Sequence, residues 1–371
     1  MLTNKVAHWL MRSVPDSGIS SIPETLVTLA SDIGLVRTEN QDRLAMLRVN
    51  TDSARTHPFI VIALADGMGG MRDGAECASL TLASFFNALV RYRQKTPKER
   101  LALAAVEANE EVYKYQQGKG GSTLSALLLD GESRAFTVNV GDSRIYAVSQ
   151  EGHEPSSIRL TVDDSLEEAV GGHGKELLQF IGMGQGLIPH TSIVNRDVDR
   201  VALTSDGVHF ISSVLLSDVL LHAKTSKELA EQLLTVSKWR GAPDNASVAS
   251  IFIKEFPGLP IKKPETSVEI LDPFGSLHIM WAKQDFPDAK ELVAEDQERL
   301  QVPQVEGKDP KIKNTPDGML REQLKKRRRN KVSEIKEKAT QLSFDDDPKV
   351  EIVFEPNRDN EKGDGSKDDN S

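Results

Sequence analysis

The sequence Val61-Ile62-Ala63-Leu64-Ala65-Asp66-Gly67-Met68-Gly69-Gly70 joins a short apolar run to a glycine-rich turn. Five consecutive apolar residues predict a strand that is buried on both faces. Asp66 follows this strand directly, and the glycines after it allow the backbone to approach a ligand closely. Taken alone, the stretch fits equally well an ordinary tight turn in which Asp66 caps the next element. The rest of the chain decides between these two interpretations.

Composition limits the classes of protein to which the chain can belong. The 371 residues suffice for two average domains, or for one large domain with appendages, and the formal net charge is -10. This charge predicts no membrane association and makes a nucleic-acid partner unexpected. The single cysteine, Cys77, excludes an intramolecular disulfide and suits a reducing compartment. No run approaches the roughly 18 apolar residues of a membrane-spanning helix, and the first residues do not resemble a signal peptide. We therefore expect a cytoplasmic protein.

Apolar patterning predicts two groups of strands, each followed by a pair of helices. The first group consists of strands over residues 26–33, 44–49 and 59–65, followed by helices over 75–92 and 97–115. The second consists of strands over residues 122–129, 135–140, 145–148 and 200–204, helices over 211–222 and 227–239, and a closing strand over 247–253. The predicted fold class is α+β, with two stacked, mainly antiparallel sheets flanked by helix pairs in an α-β-β-α sandwich. Between 150 and 200 the pattern is weak, and residues 177–181 are the best helical candidate.

Composition also predicts the boundaries of the domain. Residues 1–24 form a leader, residues 25–257 form the domain, and residues 258–285 form a short, partly apolar extension. Residues 286–371 are charged and poor in apolar side chains, so we expect a flexible, disordered C-terminal tail. Within it, the basic cluster 325–329 is either a solvated charged stretch or a contact for nucleic acid or an acidic partner. The apolar island 350–354 is either a docking segment for a protein partner or an exposed remnant without function.

Five aspartates occupy comparable places along the chain. Four lie at or just beyond the ends of apolar strands, and the fifth lies in the polar loop before a strand: Asp66, Asp142, Asp206, Asp244 and Asp42. Each alone is explained by the frequency of aspartate in turns. If the turns converge, each charged pair at ~5 Å repels by roughly 3 kcal/mol at an effective dielectric of ~20. Cations would offset this repulsion, and a site of oxygen ligands selects Mg²⁺ or Mn²⁺. The pattern therefore suggests a two-metal site.

Several motifs occur in the order typical of one enzyme family. They are Arg37-x-x-Asn40-Gln41-Asp42, Asp66-Gly67-Met68-Gly69-Gly70, Gly121-Ser122-Thr123, Asn139-Val140-Gly141-Asp142-Ser143-Arg144, Thr204-Ser205-Asp206-Gly207 and Asp244-Asn245. In this order they resemble the metal-dependent type-2C protein serine/threonine phosphatases, and the Asp-Gly-Met-Gly-Gly stretch is similar to the bacterial branch. The resemblance covers about residues 25–254. Each motif alone is weak, whereas the ordered set is specific.

The resemblance implies a ligand set for two Mn²⁺ or Mg²⁺ ions. Asp66 would bridge the two ions, and the carbonyl of Gly67 would bind one of them. Asp206 and Asp244 would complete the protein ligands of the first ion. Asp42 would bind metal-coordinated water.

It further implies a weakly bound third ion and a mode of substrate binding. Asp142, together with Asp206, would hold the third ion, and Arg37 would grip the substrate phosphate. The nucleophile would be a hydroxide that bridges the metals and attacks phosphorus in line.

The chain departs from the family pattern at several places. Gln41 stands where a glutamate is common, which predicts weaker binding of the second metal. Met68 replaces a histidine that acts as general acid in some relatives. Asp163-Asp164-Ser165 replaces the usual Asp-His-Ser. The segment from there to Val201, which is the family's flap region, is shortened and glycine-rich. The substrate range is therefore the property that can least be inferred from the family.

These features lead to one main hypothesis and two alternatives. The main hypothesis is an enzyme that hydrolyses phosphoserine and phosphothreonine in protein substrates and opposes a Ser/Thr kinase. The first alternative is a catalytically weak or silent phosphatase-like module that binds or regulates. The second is a scaffold whose C-terminal tail docks a protein partner.

Overall fold

The structure is a computed structural model that describes residues 2–50, 57–68, 73–149, 154–171, 176–259 and 267–280. The predicted tail 286–371, with its basic cluster and apolar island, lies outside the described residues. Within them, no helix is both long and apolar enough to cross a membrane.

Thirteen strands and seven helices make up the described part of the chain. The strands are β1 (Ser17–Ile22), β2 (Val27–Asp32), β3 (Asp42–Asn50), β4 (Phe59–Asp66), β5 (Leu124–Leu129), β6 (Ala135–Val140), β7 (Arg144–Ser149), β8 (Ser156–Arg159), β9 (His190–Ile193), β10 (Val198–Thr204), β11 (Ala246–Phe252), β12 (Ser267–Asp272) and β13 (Gly275–Met280). The helices are α1 (Leu2–Leu10), α2 (Gly74–Arg91), α3 (Pro97–Gln116), α4 (Leu166–Val170), α5 (Asp206–His209), α6 (Ser213–His222) and α7 (Ser226–Trp239).

The strands form two sheets in which every neighbouring pair is antiparallel. The six-stranded sheet has the order β1-β2-β11-β10-β7-β8, and the seven-stranded sheet has the order β13-β12-β3-β4-β5-β6-β9. The α+β sandwich predicted from the sequence is therefore confirmed.

Two apolar layers hold the sandwich together. Leu44, Ile62 and Leu64 of the seven-stranded sheet belong to the same buried cluster as Leu29 and Leu203 of the six-stranded sheet. A second cluster lies on the six-stranded sheet's other face, where its side chains meet α5, α6 and α7. Because central strands such as β4 are covered on both faces, their sequences are continuously apolar rather than alternating.

Local sequence signals explain the helix pair on the seven-stranded sheet. The Thr96 hydroxyl accepts a hydrogen bond from the N–H of Glu99, and the Glu99 carboxylate accepts one from the N–H of Thr96. Helix α3 therefore begins with a capping box. Pro97 occupies the first turn, where its missing N–H costs nothing. In α2, Phe85 and Phe86 are fully buried.

Residues 1–24, predicted to be a leader, contain α1 and β1. Helix α1 buries Val6, Trp9 and Leu10 and packs against α2. Arg12 then forms a bidentate ion pair with Asp272, with N–O distances of 2.7 and 2.9 Å. The apolar residues of the leader thus belong to the packed domain, because their helical spacing places them on one face.

Residues 258–285, predicted to be an extension, contain the β12–β13 hairpin. Strand β12 pairs with β3, and Val268, Ile270 and Leu277 are buried. Arg48 of β3 also donates to Glu269 at 3.0 Å. The sheet therefore continues beyond the predicted domain boundary at residue 257.

The helix predicted over residues 177–181 does not form. Leu177 makes an isolated bridge to Ser165, and Ile181 makes one to Ser122. The short helix of this segment is α4 instead, capped by Ser165, whose hydroxyl accepts from the N–H of Glu168 at 3.2 Å. Extended pairing with neighbouring loops outweighs the weak helical pattern here.

Candidate metal centre

Pairing between β3 and β4 places two of the predicted aspartates side by side. Asp42 begins β3, Asp66 ends β4, and the two are direct partners in the antiparallel register. Antiparallel partners have Cα atoms about 4.5–5.5 Å apart. The two carboxyl groups predicted to bind metal are therefore neighbours.

The glycine-rich turn after β4 is held in place by its backbone. Gly67 donates its N–H to the carbonyl of Gln41 at 3.2 Å, and Met68 donates to the carbonyl of Gly121 at 3.1 Å. A side chain at Gly67 would clash with the carbonyl of Gly74. The sequence needs glycine here because the start of α2 passes directly over this turn.

Thr123 fixes Asp66 from the neighbouring strand. The N–H of Asp66 donates to the Thr123 hydroxyl at 2.9 Å, and the N–H of Thr123 donates to the Asp66 carbonyl at 2.9 Å. The Thr123 hydroxyl also lies 2.7 Å from that of Ser143. The motif 121–123 thus orients the backbone of Asp66.

Strand β10 delivers Asp206 at the first residue of α5. Ser205, just before it, is fully buried, and its hydroxyl donates to one Asp42 carboxylate oxygen at 2.8 Å. The N–H of Ser247 donates to that same hydroxyl at 2.9 Å. Ser205 therefore ties Asp42 to the segment that carries Asp206.

Asn245 connects three segments around the site. Its side-chain oxygen accepts from the N–H of Gln41 at 2.8 Å, and its amide donates to the carbonyls of Ile33 and Glu39 at 2.9 and 3.0 Å. The N–H of Asn245 itself donates to Asp244 at 2.8 Å. One buried side chain therefore fixes both the loop before Asp42 and the turn that carries Asp244.

The carboxylates destabilise each other's charged forms. Burial raises the pKa of Asp66 well above its usual range, and the charges of Asp42, Asp206, Asp142 and Asp244 raise it further. Burial likewise raises the pKa of Asp42 to about 7. The pKa of Asp142 is raised to about 6, by burial first and by Asp206 next. The charge of Asp206 contributes to all three shifts and that of Asp244 to two of them, so the five carboxyl groups lie in one region.

Arg37 provides a cationic side chain at this cluster. Its Nη2 lies 2.7 Å from Asp244 Oδ2, and its side chain is 38% exposed. The hydrogen bond to Asp244 is the main reason that the pKa of Arg37 is raised. Because the side chain remains accessible, it is available to an anion from solvent.

The residues present fit a divalent cation. Asp42 Oδ1 is buried and has no hydrogen-bond partner among the described residues, although a buried carboxylate oxygen normally has one. The groups around it offer oxygen ligands, which suit Mg²⁺ or Mn²⁺. Among the described residues, no three acidic, histidine or cysteine side chains are arranged as a ready-made cage.

The segment that departs most from the family pattern is anchored by its own carboxylates. Asp163 pairs with Arg144 at 2.6 Å, and Asp164 accepts from the N–H of Gly141 at 2.9 Å. Asp164 also lies 2.8 Å from the Nε2 of His190 on β9. Asp164 therefore fastens this segment to the loop that precedes Asp142.

The sequence predicted the charged groups of the candidate site and did not single out the neutral residues around them. Asn245, Ser205 and Thr123 all lie inside the motifs, and Asn245 and Ser205 are each next to an aspartate in the sequence. These positions were the signal that the sequence offered. Their hydrogen-bond partners, however, are distant in sequence, and only the fold reveals them.

Comparison with known proteins agrees with this geometry. The model of the protein phosphatase 2C family matches residues 36–244, which is more than half of the chain. A protein phosphatase 2C-type protein of Streptococcus pyogenes is 27% identical over 247 residues, covering 61% of this chain and 96% of that protein. The serine/threonine protein phosphatase PstP of Mycobacterium tuberculosis is 29% identical over 240 residues, covering 59% of this chain and 43% of PstP. The match thus spans less than half the length of PstP.

Solved structures share the fold. The serine/threonine phosphatase of S. agalactiae has a TM-score of 0.50 and 25% identity, with 61% of this chain and 98% of that chain covered. The phosphatase Stp1 of Staphylococcus aureus has a TM-score of 0.52 and 18% identity, with 65% and 99% covered, and this likeness concerns the fold alone. The family match and the relatives from S. pyogenes and M. tuberculosis support membership of the family in addition to the fold. The chain therefore belongs to the protein phosphatase 2C family and is a serine/threonine protein phosphatase of the bacterial branch.

Proposed function

We propose that the five carboxylates and Arg37 form the active site that hydrolyses phosphoserine and phosphothreonine in proteins. The observation that carries this proposal is the unpartnered, buried Oδ1 of Asp42 within a cluster of mutually repelling carboxylates. Such a cluster is stable in its charged form only when cations offset the repulsion.

We assign the ligands to individual residues as follows. Asp66 and the Gly67 carbonyl, with Asp206 and Asp244, would hold two Mn²⁺ or Mg²⁺ ions, and Asp42 would bind metal-coordinated water. Asp142 with Asp206 would hold a third, weaker ion. When bound, such ions lower the pKa of water and neutralise charge on the attacking and leaving oxygens.

The protein's own residues bind and orient the phosphate. Arg37 offers a planar guanidinium that matches two phosphate oxygens, once it exchanges its contact with Asp244 for the substrate. Ser205 and Asn245 keep Asp42 and Asp244 in place during this exchange. Met68 has no titratable group, so this side chain supplies no proton to the leaving alkoxide.

Gln41 lowers the negative charge at the edge of the site. Its amide donates to Glu39 at 3.3 Å. A glutamate in its place would add a carboxylate near the second ion, so we infer weaker metal binding with retained activity. The presence of all five aspartates together with Arg37 favours an enzyme over the silent module.

Partners and location follow from the same proposal. A phosphatase of phosphorylated proteins opposes a Ser/Thr kinase, and we propose a kinase of this kind as its counterpart. The tail remains a proposed docking segment for a protein partner. The single cysteine and the negative net charge support a cytoplasmic location.

The test is turnover of a phosphothreonine peptide by the full-length chain. We expect activity with Mn²⁺ or Mg²⁺, none with chelator, and none in Asp66→Asn. The matched control is Asp218→Asn, which changes an exposed aspartate of α6 and should behave as the parent. Turnover in chelator, or turnover by Asp66→Asn at the parent rate, would refute the proposal.

A further inference from the structure

A polar cavity lies beside the segments that carry Asp142 and Asp206. It has a volume of about 220 Å³ and opens between β7, β8, α5 and α6. Its polar wall includes Arg144, Tyr146, Arg159, His209 and Ser213, and no carboxylate is among the residues that line it. The wall therefore offers hydrogen-bond donors to a ligand.

The two arginines keep donors available although both are ion-paired. Arg144 uses Nε and Nη2 for Asp163, with N–O distances of 2.6–3.1 Å. Arg159 pairs with Glu168, and its Nη1 is 3.6 Å from Asp163. A guanidinium has five N–H donors, so these contacts leave part of each fork unused. The ion pairs fix the two cations at the wall without saturating them.

His209 adds a neutral imidazole to the same wall. Its Nδ1 lies 3.0 Å from the Thr204 hydroxyl. Burial, with Arg144 and Arg159 nearby, lowers the pKa of His209 well below its usual range. The neutral ring offers a polar group to the cavity without adding charge.

We propose that this cavity binds a small oxyanion, either free phosphate or a phosphorylated organic molecule. Guanidinium groups recognise phosphate oxygens in a planar, charge-assisted way. Ser213 lies at the start of α6, where helix N–H groups and the helix dipole favour negative charge. Ile211 and Leu216 line the cavity as well and offer contact to an organic substituent.

The position of the cavity couples it to the metal centre. Arg144 is two residues from Asp142, and His209 is one turn beyond Asp206 on α5. A ligand that holds Arg144 and His209 therefore restrains both segments that carry these aspartates. Occupancy of the cavity changes the affinity of the neighbouring cluster for cations, and this second part rests on the proposed function.

The binding test uses the full-length chain in chelator with Arg37→Ala, so that the catalytic centre has neither cations nor its arginine. Calorimetric titrations with inorganic phosphate and with phenylphosphonate should each show one site. Tighter binding of phenylphosphonate identifies an organic phosphate as the ligand, and equal binding identifies the free oxyanion. Heat changes absent for both probes would overturn the proposal without touching the proposed function.

Three substitutions in this background localise the site. Arg159→Gln keeps a polar side chain but removes the charge, so binding should weaken by about tenfold or more. Ser213→Phe places a ring at the exposed rim and should abolish binding. Val214→Phe adds the same ring next to the cavity, on an exposed residue that does not line it, and should bind as the background does. Unchanged binding in Ser213→Phe would overturn the proposal.

Coupling is measured with Arg37 intact. Phenylphosphonate should shift the Mn²⁺ concentration for half-maximal peptide turnover in the parent, beyond any shift seen in Ser213→Phe. Equal shifts in both proteins would overturn the coupling and leave the binding result standing.

Discussion

Asn245 carries the sharpest prediction about how the site is positioned. Its side chain is 4% exposed and makes three hydrogen bonds, to the N–H of Gln41 and to the carbonyls of Ile33 and Glu39. Asn245→Ala removes all three partners at once. Each such bond contributes roughly 1 kcal/mol net, so we expect the free energy of unfolding to fall by about 3 kcal/mol.

The same substitution should reduce activity in folded protein. Without the side chain, the loop before Asp42 and the turn of Asp244 lose their common anchor. Urea denaturation measures the stability change, and peptide turnover at a temperature where the variant is fully folded measures the activity.

Asn87→Ala is the matched control, because Asn87 is a partly exposed residue of α2, away from the carboxylate cluster. This control should stay within about 0.5 kcal/mol of the parent. If Asn245→Ala also stayed within that range, or kept full turnover, the positioning role would be wrong.

Three further predictions concern other parts of the molecule. Arg12→Ala should cost about 2 kcal/mol of stability, because Asp272 is 5% exposed and loses its bidentate partner; a denaturation midpoint equal to the parent's would show that α1 is not anchored there. Arg37→Ala should lower kcat/KM for a phosphopeptide by about tenfold or more while leaving the urea midpoint near that of the parent, and an unchanged kcat/KM would remove Arg37 from the site. Burial, with Asp73 and Glu76 nearby, raises the pKa of the Cys77 thiol to about 11, so alkylation at pH 8 should be far slower in the folded chain than in urea and should speed up as pH rises; equal rates would contradict the burial.

The sequence was sufficient for the central strands and the two helix pairs, and it predicted the charged groups of the candidate site. Strand β4 is apolar throughout because both of its faces are covered, and that pattern is visible in the sequence without any knowledge of its neighbours. The five aspartates could be singled out in the sequence because each lies near the end or the start of an apolar strand.

The ends of the domain were harder to predict because their pairing is non-local. Strand β12 joins β3 across more than 200 residues, and no local pattern specifies that partner. Helix α1 has only nine residues, so its burial against α2, rather than its own propensity, stabilises it.

Asp164 shows the same limit inside the site. In the sequence it was only a departure from the family pattern. In the fold, Asp164 accepts a hydrogen bond from the N–H of Gly141, which lies in the loop before Asp142. Its other carboxylate oxygen lies beside the Nε2 of His190 on β9. Its role depends on contacts that the order of residues does not specify.

Mn²⁺ titration calorimetry of the full-length chain tests the central claim most directly. We expect the parent to bind at least two ions and the Asp66→Asn variant to lose both. The Asp142→Asn variant should lose only a weaker third ion. An Asp66→Asn chain that binds Mn²⁺ with the stoichiometry and affinity of the parent would contradict it.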